Sequence, residues 1–424
     1  MSVTRTQQCD VAVVGGGMVG ASLALALADS GRSVVLIEAV APQSGAQPSF
    51  DERTTALGNG ARRIFETLGV WPAIAAQAAA IRHIHVSDAG RFGFARLDAA
   101  AHGLSAFGFT VSNRHLGGVL WGALRGRRHV RTWSPARVAR VQLSDEAATL
   151  DVESGGATGG ATGGSLRRLR ARLVVAADGA HSLVKQAAHI ESSARDYGQV
   201  ALVANLCTDR RAEGIAYERF TAQGPIALLP RFDGSYAVVW TLAPPAADVW
   251  LAASEPQFRE RLQQCFGWRA GCLLQVGRRG KYPLSLLQAQ ASVGQRTALI
   301  GNAAQALHPV AAQGFNLGLR DAAVLAELIC ACEDPGAPAA LAEYARRRRA
   351  DRRGMIGFTD GLVRLFASER PMLAAARDLG LLLFDLSPPA KRALSRLSWG
   401  FGRLPRLARG LPLVRRAEDD GSAP

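Results

Sequence analysis

Three short runs of apolar residues lie far apart along the chain, at residues 10–15 (DVAVVG), 33–39 (SVVLIEA) and 173–177 (LVVAA). Uninterrupted apolar runs of this length are typical of strands buried on both faces of a parallel sheet. After the first run, apolar residues recur with helical spacing in ASLALALADSG (21–31). The pattern predicts a strand, a helix and a second strand at the start of the chain, and a third buried strand that ends at Asp178-Gly179.

Residues 197–247 have a different pattern. Apolar and polar residues alternate there in short stretches (VALVANL, IALLP and YAVVWTL), with turn signals such as Asp233-Gly234 between them. Alternation with a period of two predicts antiparallel strands with one buried face. We therefore expect a separate antiparallel sheet in this part of the chain.

The C-terminal region is basic and has helical periodicity. Residues 343–366 predict a basic helix, and apolar residues recur in 371–386. In 390–416, apolar positions repeat every three or four residues with arginines between them; they are Leu394, Leu397, Phe401 and Leu404. An Arg-rich amphipathic surface can lie on anionic lipid headgroups or dock as a helical cap with its cations in water. We favour capping for 346–386, and both interpretations stay open for 390–416.

Length and composition limit the class of protein. At 424 residues the chain exceeds one typical domain, so we expect two or three domains or one large body. No apolar run approaches the roughly 18 residues that span a bilayer. The sequence begins MSVTRTQQCD, without the apolar core of a signal sequence, so we expect a cytoplasmic protein. Six scattered cysteines without CxxC spacing predict reduced thiols and no metal site.

The net charge of +15 raises the question of nucleic-acid binding. The excess is local, because residues 346–424 hold 17 Lys plus Arg against 8 Asp plus Glu. Nearly all positive charge is arginine, since the chain contains three lysines. This distribution argues against a nucleic-acid partner.

Gly15, Gly17 and Gly20 follow the first predicted strand in the pattern G-x-G-x-x-G, and Glu38 ends the second. A tight glycine turn, a helix N-terminus for a pyrophosphate and an acid for ribose hydroxyls form a dinucleotide-binding fingerprint. An acid at this position favours a free 2′-hydroxyl, as in FAD or NAD, over NADP. The sequence therefore predicts a dinucleotide cofactor.

A second segment carries a family resemblance. It matches the pattern D-x-R-x-x-A-L and a helix that ends in LGVW, at Asp51, Arg53, Ala56, Leu57 and 68–71. Here the chain resembles the FAD-dependent aromatic hydroxylases, the p-hydroxybenzoate hydroxylase-like family, and specifically their ubiquinone-biosynthesis branch. The resemblance implies that Arg53 approaches the phosphates or ribityl chain of FAD. A surface ion pair is the alternative.

Two further signatures support the same resemblance. Asp178 and Gly179 match an ADGxxS segment that serves FAD and the pyridine nucleotide in the family, although Lys185 replaces the usual Arg and lacks its planar fork. Residues 301–321 (GNAAQALHPVAAQGFNLGLRD) match the third signature. The matching positions are Gly301, Ala303, Ala304, His308, Pro309, Gln313, Gly314, Asn316, Leu317, Gly318, Arg320 and Asp321.

The third signature implies a helix N-terminus that faces the flavin. A helix that begins near Phe315 would direct its free N–H groups and the positive end of its dipole at the flavin ring, favouring the anionic reduced form. The residues implied to bind the cofactor there are Asn302, Gln313, Gly314, Phe315 and Asn316. His308, beside Pro309, is a candidate for the proton route during catalysis, and a fixed hydrogen-bonding group is the alternative.

Three positions depart from most of the family. Asn302, Gln305 and Ala312 replace Asp, His and Gly. The combination favours the branch member that acts on a 2-polyprenyl-6-methoxyphenol over siblings that act at another ring carbon. An amide at Asn302 can still hydrogen-bond a ribityl hydroxyl.

The resemblance also implies an architecture. It is an α/β fold with a discontinuous Rossmann-like FAD-binding domain (1–75, 100–185 and 288–345), a substrate domain with an antiparallel sheet (76–99 and 186–287) and a helical, basic C-terminal region (346–424). In the family the antiparallel sheet covers the flavin and forms the substrate cavity. Phe220 and Trp240 are candidates for lining that cavity, with core packing as the alternative.

The implied activity is insertion of one atom of O₂ into the substrate ring through a C4a-hydroperoxyflavin, with NAD(P)H or an electron-transfer protein as the donor. Other ubiquinone-biosynthesis proteins and the cytoplasmic face of the inner membrane are implied partners. Two other classes stay open: a non-hydroxylating FAD oxidoreductase of lipid substrates and a non-catalytic flavoprotein subunit.

Overall fold

A computed structural model of the chain describes residues 6–42, 47, 49, 51, 53–90, 94–154, 165–307, 312–367, 387, 400 and 403–414. Within these residues, twenty strands form three sheets. The strands are β1 (Gln7–Val14), β2 (Val34–Ile37), β3 (Thr54–Gly58), β4 (Ala78–Ile81), β5 (His83–Asp88), β6 (Phe94–Asp98), β7 (Gly108–Ser112), β8 (Val130–Trp133), β9 (Ala136–Leu143), β10 (Ala148–Ser154), β11 (Ser165–Ala176), β12 (Ser192–Thr208), β13 (Ile215–Phe220), β14 (Ile226–Pro230), β15 (Tyr236–Leu242), β16 (Leu273–Val276), β17 (Gly280–Ala289), β18 (Val293–Gly294), β19 (Thr297–Leu299) and β20 (Gln305–Ala306). The α-helices are α1 (Met18–Ala26), α2 (Asn59–Thr67), α3 (Trp71–Ala75), α4 (Asn113–Leu124), α5 (Leu183–Ala187), α6 (Pro244–Ala252), α7 (Glu255–Phe266), α8 (Gly314–Ala331) and α9 (Pro338–Ala367).

The first sheet has a parallel centre in the order β8-β2-β1-β11-β19. The three apolar runs form β1, β2 and the second half of β11, which confirms the prediction of buried parallel strands. β11 begins earlier than expected, at Ser165, because its first half pairs antiparallel with β10. Chain order reverses at β1, and open α/β sheets bind ligands at such a switch point.

The second sheet has nine strands and is antiparallel apart from the β5–β13 pair. This confirms the sheet predicted for residues 197–247, and β5 and β6 join it from earlier in the chain. One face packs on α6 and α7 through side chains such as Trp240, Phe258 and Leu262, none of which reaches solvent. A small third sheet, β3-β7-β4, leads directly into β5. The proposed domain boundaries stay a prediction.

Helices α8 and α9 are joined by buried ion pairs. Arg348 of α9 donates from Nε to Asp321 of α8 and from Nη1 to Asp351, each at 2.7 Å. Arg320 of α8 donates to Asp351 at 2.7 Å. All four side chains are at most 4% exposed. Every charge in the cluster therefore has a partner, as a charge removed from water requires.

Asp321 also binds the loop that follows β19. Its Oδ2 atom accepts hydrogen bonds from the backbone N–H of Gly301 at 3.3 Å and from the side-chain amide of Gln305 at 2.8 Å. Tyr344 of α9 donates to the carbonyl of Leu299 at 2.9 Å. The predicted basic helix therefore holds residues 299–305 in place relative to α8.

Part of the C-terminal region packs against the body of the protein. Leu407 and Ala408 are buried beside α2, where Thr67 donates to the carbonyl of Leu407 at 2.9 Å. Leu404 is partly buried and packs against the same core, which favours the helical-cap alternative at this residue. Leu394, Leu397 and Phe401 lie outside the described residues. No helix of the described part is long and apolar enough to span a membrane.

We predict that Arg348→Ala lowers the free energy of unfolding by about 3–5 kcal/mol, because it leaves two buried carboxylates with fewer partners. Urea denaturation followed by circular dichroism measures the change. Arg346→Ala on the same helix is the control, since the pair of Arg346 with Glu343 is largely exposed and we expect little effect. Equal losses in the two variants would contradict a stabilising role for the buried cluster.

Candidate cofactor and substrate site

A cavity of about 930 Å³ lies between the first and second sheets. Its walls come from the carboxyl ends of β1, β2 and β11, from the first residues of α1 and α8, and from one face of the second sheet. Nine of the predicted site residues line it: Gly15, Gly17, Glu38, Arg53, Asp178, Gly179, Asn302, Gly314 and Phe315. The fold thus brings together residues from four distant segments.

Helix α1 begins at the cavity with an uncapped N-terminus. Gly17 stands at the N-cap, and the first turn has no acidic residue, so the backbone N–H groups are open to an anion. A Cβ atom at Gly20 would lie 2.0 Å from the carbonyl oxygen of Gly15. At Gly15, where φ is +101°, a Cβ atom would lie 2.4 Å from the carbonyl oxygen of Ala177. Gly20 therefore acts by close packing of α1 on β1 and does not line the cavity itself.

Glu38 lies at the end of β2 and faces the glycine turn. Its carboxylate accepts backbone N–H groups of Gly16 at 2.6 Å and Val40 at 2.9 Å. Burial raises the pKa of Glu38, although these hydrogen bonds oppose the shift. On the other side of the turn, Trp121 donates to the carbonyl of Gly16 at 2.8 Å. Because each carboxylate oxygen accepts two hydrogen bonds, Glu38 retains capacity for ligand hydroxyls.

Asp178 and Gly179 form the turn after β11. The Oδ2 atom of Asp178 accepts the N–H of Leu183 at 3.0 Å, whereas Oδ1 is buried without a hydrogen-bond partner among the described residues. Burial raises the pKa of Asp178. Lys185 donates to the carbonyl of Ala180 at 2.8 Å, so it supports this turn. A buried acceptor at a cavity wall is available to a ligand that carries a hydrogen-bond donor.

Arg53 lines the cavity and is held by two neighbours. Its Nε donates to Asp51 at 2.5 Å, and its guanidinium carbon lies 4.5 Å from the ring centroid of Tyr282. Asp51 also accepts the side-chain amide of Asn113 at 3.2 Å. The ion pair considered as an alternative therefore exists, and it positions the guanidinium at the cavity wall. Contact between Arg53 and the cofactor stays a prediction.

Helix α8 provides a second uncapped N-terminus. It begins at Gly314, with no side-chain cap and no acidic residue in its first turn, and its first two residues, Gly314 and Phe315, line the cavity. Asn302 faces the cavity from a neighbouring 3₁₀ turn. Gln313 directly precedes the helix and is not a lining residue. The dipole of α8 thus favours negative charge in this part of the cavity.

Asn316 has a role that differs from the prediction. Its side chain is buried, accepts the N–H of Gly58 at 2.8 Å and donates to the carbonyl of Ala56 at 2.9 Å. The amide therefore fastens β3 to α8 and does not line the cavity.

The predicted catalytic residues His308 and Pro309 lie outside the described residues, so their roles stay predictions. Ala312, the first described residue after them, has φ of +50°. This left-handed region favours glycine, which agrees with the glycine that most of the resembling family has there.

The second sheet provides an apolar wall. Its lining residues include Ile84, Ala216, Glu218, Ala227, Leu229, Val239 and Thr241. Trp240 is not among them, which corrects its prediction as a substrate residue. Successive side chains of a strand point to opposite faces, so Trp240 faces away from the cavity and stacks on Trp250. Phe220 is also buried and is not a lining residue, and core packing accounts for Trp240.

Glu218 is a cavity residue that the motifs do not identify. Ala216 and Glu218 share one face of β13, and Ala227 of β14 pairs beside Glu218. The signal in the sequence is a carboxylate on a strand face whose other positions, Ala216 and Phe220, are apolar.

The site fits a dinucleotide. Two uncapped helix N-termini suit phosphates or other anionic groups, while Glu38 and the Oδ1 atom of Asp178 are acceptors for hydroxyl or amide donors. Residues 8–359 match the family model described as an FAD binding domain. The chain belongs to this FAD-binding family. The predictions of FAD as cofactor and of an α/β FAD-dependent enzyme are confirmed.

Members and structural neighbours of the FAD-binding family resemble the chain over nearly its whole length. It is 38% identical over 414 residues to a ubiquinone hydroxylase (UbiL) of Rhodospirillum rubrum, covering 95% of this chain and 93% of that protein. It is 30% identical over 403 residues to the 3-demethoxyubiquinol 3-hydroxylase of Escherichia coli, covering 93% and 99%. The p-nitrophenol 4-monooxygenase (PnpA) of Pseudomonas putida shares the fold, with a TM-score of 0.77, 22% identity and coverage of 94% and 100%. The resemblance inferred from the motifs is confirmed.

We predict that Gly20→Ala weakens FAD binding by at least about tenfold, equivalent to about 1.4 kcal/mol. The added methyl group would collide with the carbonyl of Gly15 and push α1 away from β1. Titration of apoprotein with FAD, followed by quenching of flavin fluorescence, measures the affinity. Gly118→Ala in α4 is the control, because a Cβ atom there meets nothing within 4 Å. Unchanged affinity in Gly20→Ala would contradict the packing argument.

Proposed function

We propose that the protein is a monooxygenase of ubiquinone biosynthesis that uses FAD to hydroxylate the ring of a 2-polyprenyl-6-methoxyphenol, giving the hydroquinone. One observation carries the proposal: the dinucleotide cradle and the apolar face of the second sheet are walls of a single cavity. Two reactants held in one cavity react as if at high concentration. The names of the two curated relatives, both ubiquinone-pathway hydroxylases, support the substrate class.

The chain's own residues would bind and orient the cofactor. The N-terminus of α1 would hold the pyrophosphate, Glu38 and Asp178 would accept hydrogen bonds from hydroxyl groups, and Asn302 would contact the ribityl chain. The N-terminus of α8 would face the flavin ring and favour negative charge on it. Bound FAD would supply the activation of O₂ that amino-acid side chains lack.

The chemistry of the substrate supports hydroxylation opposite the phenolic hydroxyl. A phenol directs an electrophile to its ortho and para carbons, and a phenolate does so more strongly. In a 2-polyprenyl-6-methoxyphenol both ortho carbons carry substituents, which leaves the para carbon. The apolar wall formed by residues such as Leu229 and Val239 would exclude water from this reaction.

Electrons are proposed to come from NAD(P)H. The polyprenyl chain keeps the substrate in lipid, so we also propose a peripheral contact with the cytoplasmic face of the inner membrane and with other enzymes of the pathway. Co-flotation of the protein with anionic lipid vesicles tests the membrane contact.

We predict that the holoenzyme, supplied with ¹⁸O₂ and NAD(P)H, converts a short-chain 2-prenyl-6-methoxyphenol into a hydroquinone that carries one ¹⁸O atom. The second oxygen atom leaves as water, with two electrons and one proton from NAD(P)H and one proton from solvent. Mass spectrometry of the product, with fragmentation to locate the new oxygen, measures both the incorporation and the ring position.

Each of the other possible outcomes would indicate a different activity for the protein. Incorporation at another ring carbon would indicate a sibling hydroxylase, and NAD(P)H oxidation with an unlabelled oxidised product would indicate a non-hydroxylating oxidoreductase. A flavoprotein that never oxidises NAD(P)H with any phenol would indicate a non-catalytic subunit. In cells that lack the protein, an accumulated prenyl-methoxyphenol is the expected quinone-pathway intermediate.

A further inference from the structure

Among the described residues of the second sheet that line the cavity, Glu218 is the one charged side chain. Its neighbours on β13 and across β14 and β15 are small or apolar: Ala216, Ala227, Leu229 and Val239. Within the described residues its carboxylate has neither a hydrogen-bond partner nor an ion-pair partner. A carboxylate in such surroundings is costly for the fold unless a ligand uses it.

The other charged groups near β13 do not compensate Glu218. On the opposite sheet face, Tyr217 packs on Phe266, while Arg219 donates to the carbonyl of Cys265. On β5 the titratable residues are His83, His85 and Asp88, and β14 has none. Tyr217 also contributes to the cavity lining, and the other titratable or charged lining residues are Glu38, Arg53, Arg137, Asp178 and His181. Burial alone raises the pKa of Glu218, to about 7.

We propose that Glu218 is the catalytic base, which binds the phenolic hydroxyl of the substrate and accepts its proton as the ring is hydroxylated. The inference rests on the proposed function, because it takes a phenol as the occupant of the cavity. Glu218 gives the apolar wall one fixed polar group, and such a group sets the orientation of an otherwise apolar ligand.

In this step one proton moves from the substrate to Glu218. The phenolic O–H bond breaks, a carboxyl O–H bond forms on Glu218, and the electron pair stays on the phenol oxygen. That electron pair makes the para carbon more nucleophilic toward the oxygen atom derived from O₂, with NAD(P)H as the reductant. A base with a pKa near the working pH is the most effective one. An ordinary carboxylate, with a pKa near 4.3, would be a weaker base.

Ligand binding tests the proposal without turnover. The probe is a short-chain 2-prenyl-6-methoxyphenol, compared with its methyl ether, titrated into oxidised holoenzyme without NAD(P)H. We expect the phenol to bind about tenfold more tightly at about pH 8.5 than at about pH 5.5, because an ionised carboxylate is the stronger acceptor for its hydroxyl. The methyl ether has no hydroxyl to donate, so its affinity should not rise with pH.

Glu218→Gln should abolish this pH dependence and lower the hydroxylation rate by about 10²–10⁴-fold, while FAD content stays normal. Glu213→Gln is the matched control, because Glu213 is exposed just before the same strand and does not line the cavity. The proposal is overturned if Glu218→Gln keeps the dependence, or if His308→Gln removes it instead. Failure of the proposed function would show separately, as absent FAD or absent ¹⁸O incorporation.

A second measurement follows from the pKa of Glu218 itself. Because this pKa is raised from 4.5 to about 7, the stability contributed by the group is complete below pH 4.5 and is lost as the pH rises through about 7. With excess FAD present, we expect Glu218→Gln to melt at a higher temperature than wild type at about pH 8 and at nearly the same temperature at about pH 5. A melting difference independent of pH would contradict a carboxylate whose pKa is raised in the folded protein.

Discussion

The buried carboxylate of Asp321 connects the parts of the protein on which the site depends. One of its oxygens accepts hydrogen bonds from Gly301 and Gln305, in the loop proposed to contact the flavin, and the other pairs with Arg348 of α9. Because the group is inaccessible to solvent, no water can replace a lost partner. The position of the cofactor loop therefore depends on charges of α9, a helix some forty residues later in sequence. Besides covering the core, α9 helps to hold this loop in place.

The cavity combines two environments that seldom adjoin. On the side of the first sheet, within the part of the chain that the structure describes, two helices begin without side-chain caps and one oxygen of Asp178 has no hydrogen-bond partner, so this side suits a polar, partly anionic ligand. On the second sheet, the described residues that line the cavity are mostly alanine, leucine and valine, and Glu218 is the single charged group among them. A dinucleotide suits the first side and a prenylated phenol the second, which is why one cavity can serve both.

Local patterns predicted the parts of the site that depend on neighbouring residues. The glycine turn, Glu38 and the Asp178 turn follow from strand, helix and turn signals within short segments, and each lines the cavity. The sequence patterns did not show which face of a strand or helix points into the cavity. Trp240 points away because it lies on the opposite face of its strand, and Asn316 points away because its amide bonds to β3. Neither fact can be predicted before the neighbouring elements are known. Arg320 and Asp321 matched a signature, yet their pairing with α9 needed the tertiary structure.

The distance in sequence between Gly15, Asp178 and Asp321 has a consequence for biosynthesis. During translation the glycine turn leaves the ribosome long before β11, which it must contact, and Arg348 emerges later still. Contacts of such high sequence separation close late, because the entropy of a long loop must be overcome first. The nascent polypeptide therefore cannot complete its flavin pocket until the residues up to Arg348 have been translated, so insertion of the cofactor is expected to follow their synthesis.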